Sequence, residues 1–341
     1  MDKAEFMEAL NIIEKEKGID REIIFEAIET SLVTACKKNY GTSQNIKVDM
    51  NRETGEIKVF AQKEVVEDVY DAFLEVSLED AQEINPMYEL GDFVDFEITP
   101  KNFGRISAQT AKQVVVQKIR EEERKVLYVQ YLEKEREVIT GIVQRYSGKN
   151  ICVNLGKVDA ILMESEQVKG EHFKPTEHIK LYVVEVKDTT KGPRITVSRS
   201  HPEFVKRLFE EEVTEIQDGT VEIRSIAREA GSRTKMAVST DNPNVDAIGA
   251  CVGINGSRVN AIVEELRGEK IDIINWSDSP AVLIENALSP SKVISVDVDE
   301  EEKTASVVVP QDQLSLAIGK EGQNARLAAK LTGYKIDIKC E

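Results

Sequence analysis

The sequence lacks the long apolar run that a membrane span requires, since no eighteen consecutive apolar residues occur in its 341 positions. Its first six residues are acidic and amphipathic, whereas a secretory signal begins basic and continues apolar. The four cysteines lie far apart and form no C-x-x-C pair, which argues against a zinc site and a disulfide framework. We therefore expect a cytoplasmic protein that does not contact a membrane.

Features of catalytic sites are scarce as well. The only histidines, His172, His178 and His201, do not have the spacing of metal ligands. The segment Gly319-Lys-Glu fails the phosphate-loop pattern because it lacks the Ser or Thr that would hold magnesium. The sequence therefore predicts no cofactor, no metal site and no catalytic residues, and the protein is not expected to be an enzyme.

Basic residues are fewer than acidic ones, with 45 Lys and Arg against 62 Asp and Glu and a net charge of −17. Residues 1–134 hold 18 basic and 28 acidic side chains, 135–200 hold 11 and 9, and 201–341 hold 16 and 25. A nucleic-acid-binding protein usually has a basic surface, and only the middle segment is basic here. Any RNA site must therefore depend on individually placed cations and helix dipoles, which favours single strands bound with modest affinity.

What the chain does contain is an internal repeat near its end. Gly253 aligns with Gly319 and Gly256 with Gly322, both at an offset of 66 residues. A Gly-x-Lys-Ile-Asp-Ile segment follows each glycine pair. The two copies predict one structural unit used twice.

The periodicity of each copy predicts two helices joined by a G-x-x-G loop. In the first copy Val259, Ile262, Val263 and Leu266 recur at helical spacing. Glycine lets another backbone approach closely, and the first N–H groups of the following helix suit a phosphate. For either loop taken alone, glycine as an ordinary helix cap remains the alternative.

Both copies resemble KH domains, whose G-x-x-G loop binds a nucleic-acid backbone. The resemblance implies two α-β-β-α-α-β units, residues 201–277 and 278–341, and we expect them to pack into one rigid surface. The RNA-binding residues it implies are Gly253, Ile254, Asn255, Gly256, Arg258, Gly319, Lys320, Glu321, Gly322, Gln323, Asn324 and Arg326.

The first loop departs from the KH pattern, because Ile254 and Asn255 stand where relatives commonly have a basic residue. Arg258, one turn further on, is a candidate to supply the positive charge that the first loop lacks. The remaining cations expected to widen a positive patch are Arg224, Arg228, Arg233 and Lys235.

Residues 135–200 contain five short apolar strands with glycines at expected bends, which predicts a closed barrel of the OB type. Their order resembles the S1 RNA-binding domain. Such barrels bind RNA through aromatic and basic side chains, and the candidates are Arg145, Tyr146, Lys149, Phe173 and Arg199. The alternative is that the aromatic residues pack the barrel and the cations are ordinary surface residues.

Residues 1–134 predict an α+β domain: a helical hairpin over residues 2–38, several strands, a short helix that begins near Ser77, and a long helix from Arg105 to about Lys134. The fold class is therefore multidomain α+β, with an α+β N-terminal domain, an S1 barrel and two tandem KH domains. The segments that most specifically resemble a known protein family are residues 103–114 and 314–326.

Over nearly the whole chain the sequence resembles the NusA family of bacterial transcription termination and antitermination factors. The resemblance implies a monomer that binds RNA polymerase through its N-terminal domain and nascent single-stranded RNA through the other domains, modulating pausing, termination and antitermination. Other elongation and antitermination factors are further expected partners. The implied polymerase-binding residues are Lys37, Lys38, Arg105 and Lys112. The acidic C-terminal repeats of some relatives, with any self-inhibition, are expected to be absent.

Two other functions stay open at this stage. KH and S1 domains also occur in polynucleotide phosphorylases, but there KH precedes S1, and residues 1–134 do not fit a nuclease core. A translation-associated RNA-binding protein is the second alternative, distinguished by association with ribosomes rather than polymerase.

Overall fold

The computed structural model describes residues 7–8, 10–12, 14–15, 19–40, 45–99 and 103–341; for 37–40 and 103–108 the description is limited to the helical backbone. The chain divides into two compact units, residues 1–126 and 127–341. Within the residues described, no helix is both long and apolar enough to cross a membrane. The predicted multidomain α+β class is confirmed.

The first unit packs helix α1 (Arg21–Tyr40) against a sheet of β1 (Ile46–Met50), β2 (Ile57–Val66), β3 (Glu75–Ser77) and β4 (Phe93–Glu97). Strand β2 pairs antiparallel with β1 and β4 and parallel with β3. One apolar face of α1 is buried against β1 and β2, because residues four apart share one face of a helix. Most of the helix predicted over residues 2–17 lies outside the described residues.

Two further helices belong to this part of the chain, α2 (Leu78–Ile84) and α3 (Phe103–Leu132). Helix α2 begins where the sequence predicts, and Ser77 caps it, its hydroxyl accepting from the amide of Asp80 at 3.1 Å. The long helix α3 contributes Val114 to the core of the first unit and Tyr131 to the core of the barrel.

The five barrel strands are β5 (Val138–Ser147), β6 (Asn150–Asn154), β7 (Asp159–Leu162), β8 (His178–Lys187) and β9 (Arg194–Ser198). They close in the order β5-β6-β7-β9-β8, with β8 pairing back onto β5. This is the five-stranded closed barrel that the sequence predicts.

Gly141 shows why this barrel needs a glycine in β5. A Cβ there would lie 2.4 Å from Cγ1 of Val153 and 2.8 Å from Cδ2 of Leu155. Only glycine at this position lets β5 approach the neighbouring side chains this closely.

The two KH units have the same topology. The first comprises α4 (Pro202–Glu212), α5 (Thr214–Gln217), β10 (Glu222–Glu229), β11 (Arg233–Ser239), α6 (Ala247–Val252), α7 (Ser257–Glu265) and β12 (Lys270–Asn275). The second comprises α8 (Pro280–Ala287), β13 (Ser295–Asp299), β14 (Thr304–Val309), α9 (Leu314–Ile318), α10 (Gln323–Thr332) and β15 (Lys335–Cys340). In each, the central strand is antiparallel to the strand before it and parallel to the strand after it.

The two KH units pack together through a shared hydrophobic core. Ala227, Ala237 and Ile274 of the first unit belong to the same buried cluster as Leu283 and Val307 of the second. Helix α10 also lies against strands β10 and β11. The packing of the two KH units on each other, expected from the sequence, is therefore present.

Candidate nucleic-acid interface

The two G-x-x-G loops have the same backbone conformation. Gly253 has φ 73° and ψ 175°, and Gly319 has φ 75° and ψ 171°. Asn255 and Glu321 both lie in the left-handed region, at φ 52° and 53°. The second glycine of each loop follows at φ 77° and 74°. The repeat seen in the sequence is thus a repeat of backbone geometry.

The first glycine of the second loop permits a close approach between the loop and the next helix. A Cβ at Gly319 would lie 2.7 Å from the amide nitrogen of Asn324, closer than such contacts occur in proteins. Because glycine avoids this clash, helix α10 begins directly beside the loop.

Helices α7 and α10 each begin immediately after the second glycine of a loop. The amides of Ser257 and Gln323 donate to the carbonyls of Ile254 and Lys320 within the loops. Glycine has no side chain with which to cap the N–H groups that follow in the first helical turn, and no side chain caps them. The positive end of the helix dipole lies at the same place. This arrangement suits the phosphate of a nucleic-acid backbone.

The variable positions of the loops are exposed but chemically different. In the first loop Asn255 is exposed and Ile254 is 85% exposed, whereas the second loop presents Lys320 and Glu321. Lys320 forms no ion pair with any residue of the described ranges. A cation at a variable loop position is therefore a feature of the second loop alone.

Arg258 and Asn324 occupy equivalent positions and brace the helix that precedes each loop. Arg258 donates to the carbonyl of Ala250 at 2.6 Å and pairs with Glu215 at 2.7 Å. The Nδ2 of Asn324 donates to the carbonyl of Ala317 at 3.1 Å. The side chain of Asn324 is buried, which corrects the prediction that it contacts RNA.

Gln323 and Arg326 contact the first KH unit. The Nε2 of Gln323 donates to Glu229 at 2.8 Å and to Ser232 at 2.7 Å. Arg326 pairs with the same Glu229 at 3.0 Å. Both residues were predicted to contact RNA, and the side chain of Arg326 is 51% exposed. Their additional position at the interface between the two KH units is one that no local sequence pattern signals.

The cations expected on the neighbouring strands do not form a broad positive patch. Arg228 forms a buried ion pair with Glu269 at 2.9 Å, and Lys235 forms one with Asp272 at 3.0 Å. Burial lowers the pKa of Lys235, and Asp272 opposes that shift. The other two arginines of this set each pair with a neighbouring carboxylate. The expected widening of the patch is wrong for Arg228 and Lys235, because they stabilise the interior.

Arg199, an expected RNA contact on the barrel, is only 1% exposed. It pairs with Glu171 at 2.6 Å and with Glu265 of helix α7 at 3.0 Å, and it lies over the ring of Phe173. Burial alone would lower the pKa of Arg199, but the two carboxylates raise it. Arg199 therefore joins the barrel to the first KH unit, which corrects its assignment to an RNA surface.

Arg145 and Tyr146 remain accessible on the barrel. Both are exposed, and the Tyr146 hydroxyl donates to the carbonyl of Phe173 at 3.0 Å, which fixes the position of the ring. Phe173 itself is buried, and Lys149 pairs with Glu164 at 2.9 Å. Among the five barrel candidates, which all lie in the described part of the chain, Arg145 and Tyr146 are thus the two that remain available to RNA. Arg145 is exposed without an ion pair, and the ring of Tyr146 is exposed although its hydroxyl is bonded.

The residues expected to bind polymerase are described only in part. Lys112 is exposed on helix α3. The side chains of Lys37, Lys38 and Arg105 lie outside the described part of the chain.

The first unit also exposes large apolar side chains that the sequence analysis missed. We call them the apolar loop residues: Tyr70, Phe73, Met87 and Leu90, from 54% to 89% exposed. The amide of Glu64 bonds to the carbonyl of Leu74 at 2.9 Å, and that of Val65 bonds to Asp92 at 2.8 Å. The segments that precede β3 and β4 therefore both contact the end of β2. Apolar side chains in segments without strand or helix periodicity were the available signal.

Together the OB-type barrel and the two KH units define a class, that of multidomain nucleic-acid-binding proteins. The family model for the NusA N-terminal domain matches residues 5–125. Models for the NusA-like first and second KH domains match residues 199–276 and 280–341.

Three relatives, each a transcription termination/antitermination protein NusA, are similar over nearly the whole chain. The Bacillus subtilis protein is 60% identical over 99% of this chain and 91% of its own length. The Halalkalibacterium halodurans protein is 59% identical over 99% and 88%, and the Rickettsia prowazekii protein is 42% identical over 99% and 68%. The chain belongs to the NusA family.

Proposed function

We propose that the protein is an RNA-binding transcription factor that binds RNA polymerase and nascent single-stranded RNA and modulates pausing, termination and antitermination. Family membership supports this proposal. The observation that carries it is the pair of exposed G-x-x-G loops with one shared backbone geometry. We propose four domains, residues 1–134, 135–200, 201–277 and 278–341, in a cytoplasmic monomer without catalytic activity of its own.

In this proposal the second loop binds a phosphate of the RNA backbone. The N–H groups at the start of α10 donate to the phosphate oxygens, and Lys320 supplies the positive charge. Because the overall charge is −17, binding depends on these local groups rather than on long-range attraction. Single strands, whose bases are free to enter an apolar groove, are the expected ligand.

The first loop contacts the same RNA strand differently. It offers the same helix N-terminus, but Ile254 occupies the position where the second loop has Lys320. An exposed isoleucine suits contact with a sugar or a base face rather than with a phosphate. Arg145 and Tyr146 extend the RNA contacts onto the barrel, where stacking and charge act together.

Polymerase binding is assigned to the first unit. Its exposed Lys112 and the apolar loop residues provide a charged and an apolar contact, and exposed apolar side chains of this size are typical of protein interaction sites. Lys37, Lys38 and Arg105 complete the proposed set. Co-purification of the full chain with core polymerase tests this assignment, and recovery with ribosomes instead would contradict it.

RNA binding by the second loop is tested with Lys320→Asp and Glu321→Asp combined in the full chain. The affinity for a fluorescein-labelled single-stranded RNA, measured by anisotropy, should fall about tenfold because a charge-assisted contact is lost. The matched control is Lys330→Asp, which makes the same change of charge on helix α10, about 12 Å from the loop. Equal affinities of the loop variant and this control would contradict the assignment.

A further inference from the structure

The second loop contains a backbone conformation that its own residue does not favour. Glu321 has φ 53°, in the left-handed region, which costs an ordinary residue about 1–2 kcal/mol. The equivalent residue of the first loop, Asn255, is of a type that visits this region readily. Glu321 therefore needs a contact elsewhere that holds its backbone in place.

Arg326 provides that contact. Its Nη1 donates to the carbonyl of Glu321, and its Nε and Nη2 donate to the carboxylate of Glu229 at 3.0 Å and 3.3 Å. One guanidinium group thus joins the loop of the second KH unit to strand β10 of the first. The equivalent position in the first loop is Asn260, which is too short to form such a bridge.

Glu229 is itself held in place from a second direction. Gln323, the first residue of α10, donates to Oε2 of Glu229 at 2.8 Å and to Ser232 at 2.7 Å. Because two side chains of the first helical turn converge on one carboxylate, the position of Glu229 fixes the start of α10. The start of α10 is also where the proposed phosphate site lies.

We propose that Glu229 is a positioning residue for RNA binding by the second loop: through Arg326 it holds the Glu321 carbonyl and so the loop backbone that receives the phosphate. The inference rests on the proposed RNA-binding function of that loop. It makes docking of the second KH unit on the first a requirement for full RNA affinity.

The proposal predicts an effect opposite in sign to simple electrostatics. Removing a carboxylate from a chain of charge −17 should strengthen binding of a polyanion. If Glu229 merely competed with RNA for Arg326, its removal would also strengthen binding. A positioning role predicts weaker binding instead.

The test measures single-stranded RNA affinity of the full chain by anisotropy for Glu229→Ala, Glu229→Gln and Asp241→Ala. Asp241 is an exposed acidic residue of the first KH unit without a bond to α10, so its removal matches the change of charge. We expect about a fivefold loss for Glu229→Ala, a smaller loss for Glu229→Gln, and no loss for Asp241→Ala. Affinity of Glu229→Ala equal to or above that of Asp241→Ala would overturn the proposal.

A double-mutant cycle and hydrogen exchange separate this inference from the proposed function. Glu229→Ala should cause a smaller loss in the Arg326→Ala background than in the unmodified chain, because the Arg326 bridge is already absent there and only the bond from Gln323 is left to remove. In the RNA-free protein, the amides of residues 319–322 should exchange faster in Glu229→Ala than in Asp241→Ala. Unchanged exchange overturns the bridge even if Lys320→Ala weakens RNA binding. Faster exchange with RNA affinity insensitive to Lys320→Ala supports the bridge and contradicts the loop's RNA role.

Discussion

Helices α7 and α10, which follow the two G-x-x-G loops, are each held by the part of the chain that precedes their unit, but at opposite ends. Helix α7 is held at its last residue, Glu265, by Arg199 of the barrel. Helix α10 is held in its first turn, at Gln323 and Arg326, by Glu229. The second loop therefore depends directly on its neighbour, whereas the first is braced within its own unit.

The difference shows that a duplicated motif need not be a duplicated site. The first loop places asparagine at the left-handed position and isoleucine at the exposed tip, so it is self-supporting and uncharged. The second places glutamate and lysine at these positions and takes its support from the first KH unit. In our account the second loop binds phosphate. The first KH unit both contacts RNA and positions the second loop.

The largest expected effect comes from breaking the attachment of α7 to the barrel. Arg199→Ala leaves Glu171 and Glu265 without their shared cation, and loss of one partner of a buried ion pair typically costs about 3–5 kcal/mol. The matched control is the exposed Arg145→Ala, which should change stability by less than about 0.5 kcal/mol. Urea unfolding measures both, and similar midpoints for the two variants would show that α7 does not depend on the barrel.

A second effect sharpens the comparison between the loops themselves. A Cβ at residue 319 meets a backbone nitrogen at 2.7 Å, one at residue 253 meets the flexible Arg258 side chain at 2.9 Å, and one at 333 meets nothing within 4 Å. All three glycines have positive φ, so Gly333→Ala shows the conformational cost alone, about 1 kcal/mol. Gly253→Ala should cost more and Gly319→Ala most, about 2–3 kcal/mol. Thermal unfolding in any other order would contradict the loop geometry.

Exchanging the residues at the loop tips tests whether charge explains the difference. Ile254→Lys should tighten single-stranded RNA binding and Lys320→Ile should weaken it, each about fivefold, since one phosphate contact is gained or lost. The slope of log affinity against log salt should change by about 0.7 in opposite directions. Equal salt slopes for the two variants would show that neither tip lies near a phosphate.

The smallest effect concerns pH. Arg326 and Gln323 lower the pKa of Glu229, so the ionised form is the one that the folded state favours. The stabilisation from the contacts of Arg326 and Gln323 with Glu229 is complete above pH 4.5, the ordinary pKa of a glutamate. It is lost as the pH falls through the lowered pKa of Glu229. Stability of Glu229→Gln should therefore fall less between pH 5 and pH 3 than that of the unmodified chain. Parallel pH profiles would indicate that the pair is too solvated to contribute.

The sequence was sufficient to predict the loops and the order of domains, because glycine pairs, apolar periodicity and strand alternation are local signals. It was insufficient for Arg199, Lys235 and Gln323, whose environment is set by residues distant in the chain. Arg199 and Glu265, for example, are 66 positions apart. A cation near a predicted RNA surface has the same local pattern whether it faces solvent or a buried carboxylate. Only the packing of one domain on the next distinguishes the two.

The most direct test of the central claim is amide hydrogen exchange of the full chain with and without a single-stranded RNA. Our account predicts that RNA slows exchange at residues 253–258 and 319–324 together, with the larger change in the second loop. It also predicts that Lys320→Ile reduces the protection of the second loop by RNA and leaves the protection of the first loop unchanged. Protection confined to one loop, or absent from both while the RNA remains bound, would contradict the account.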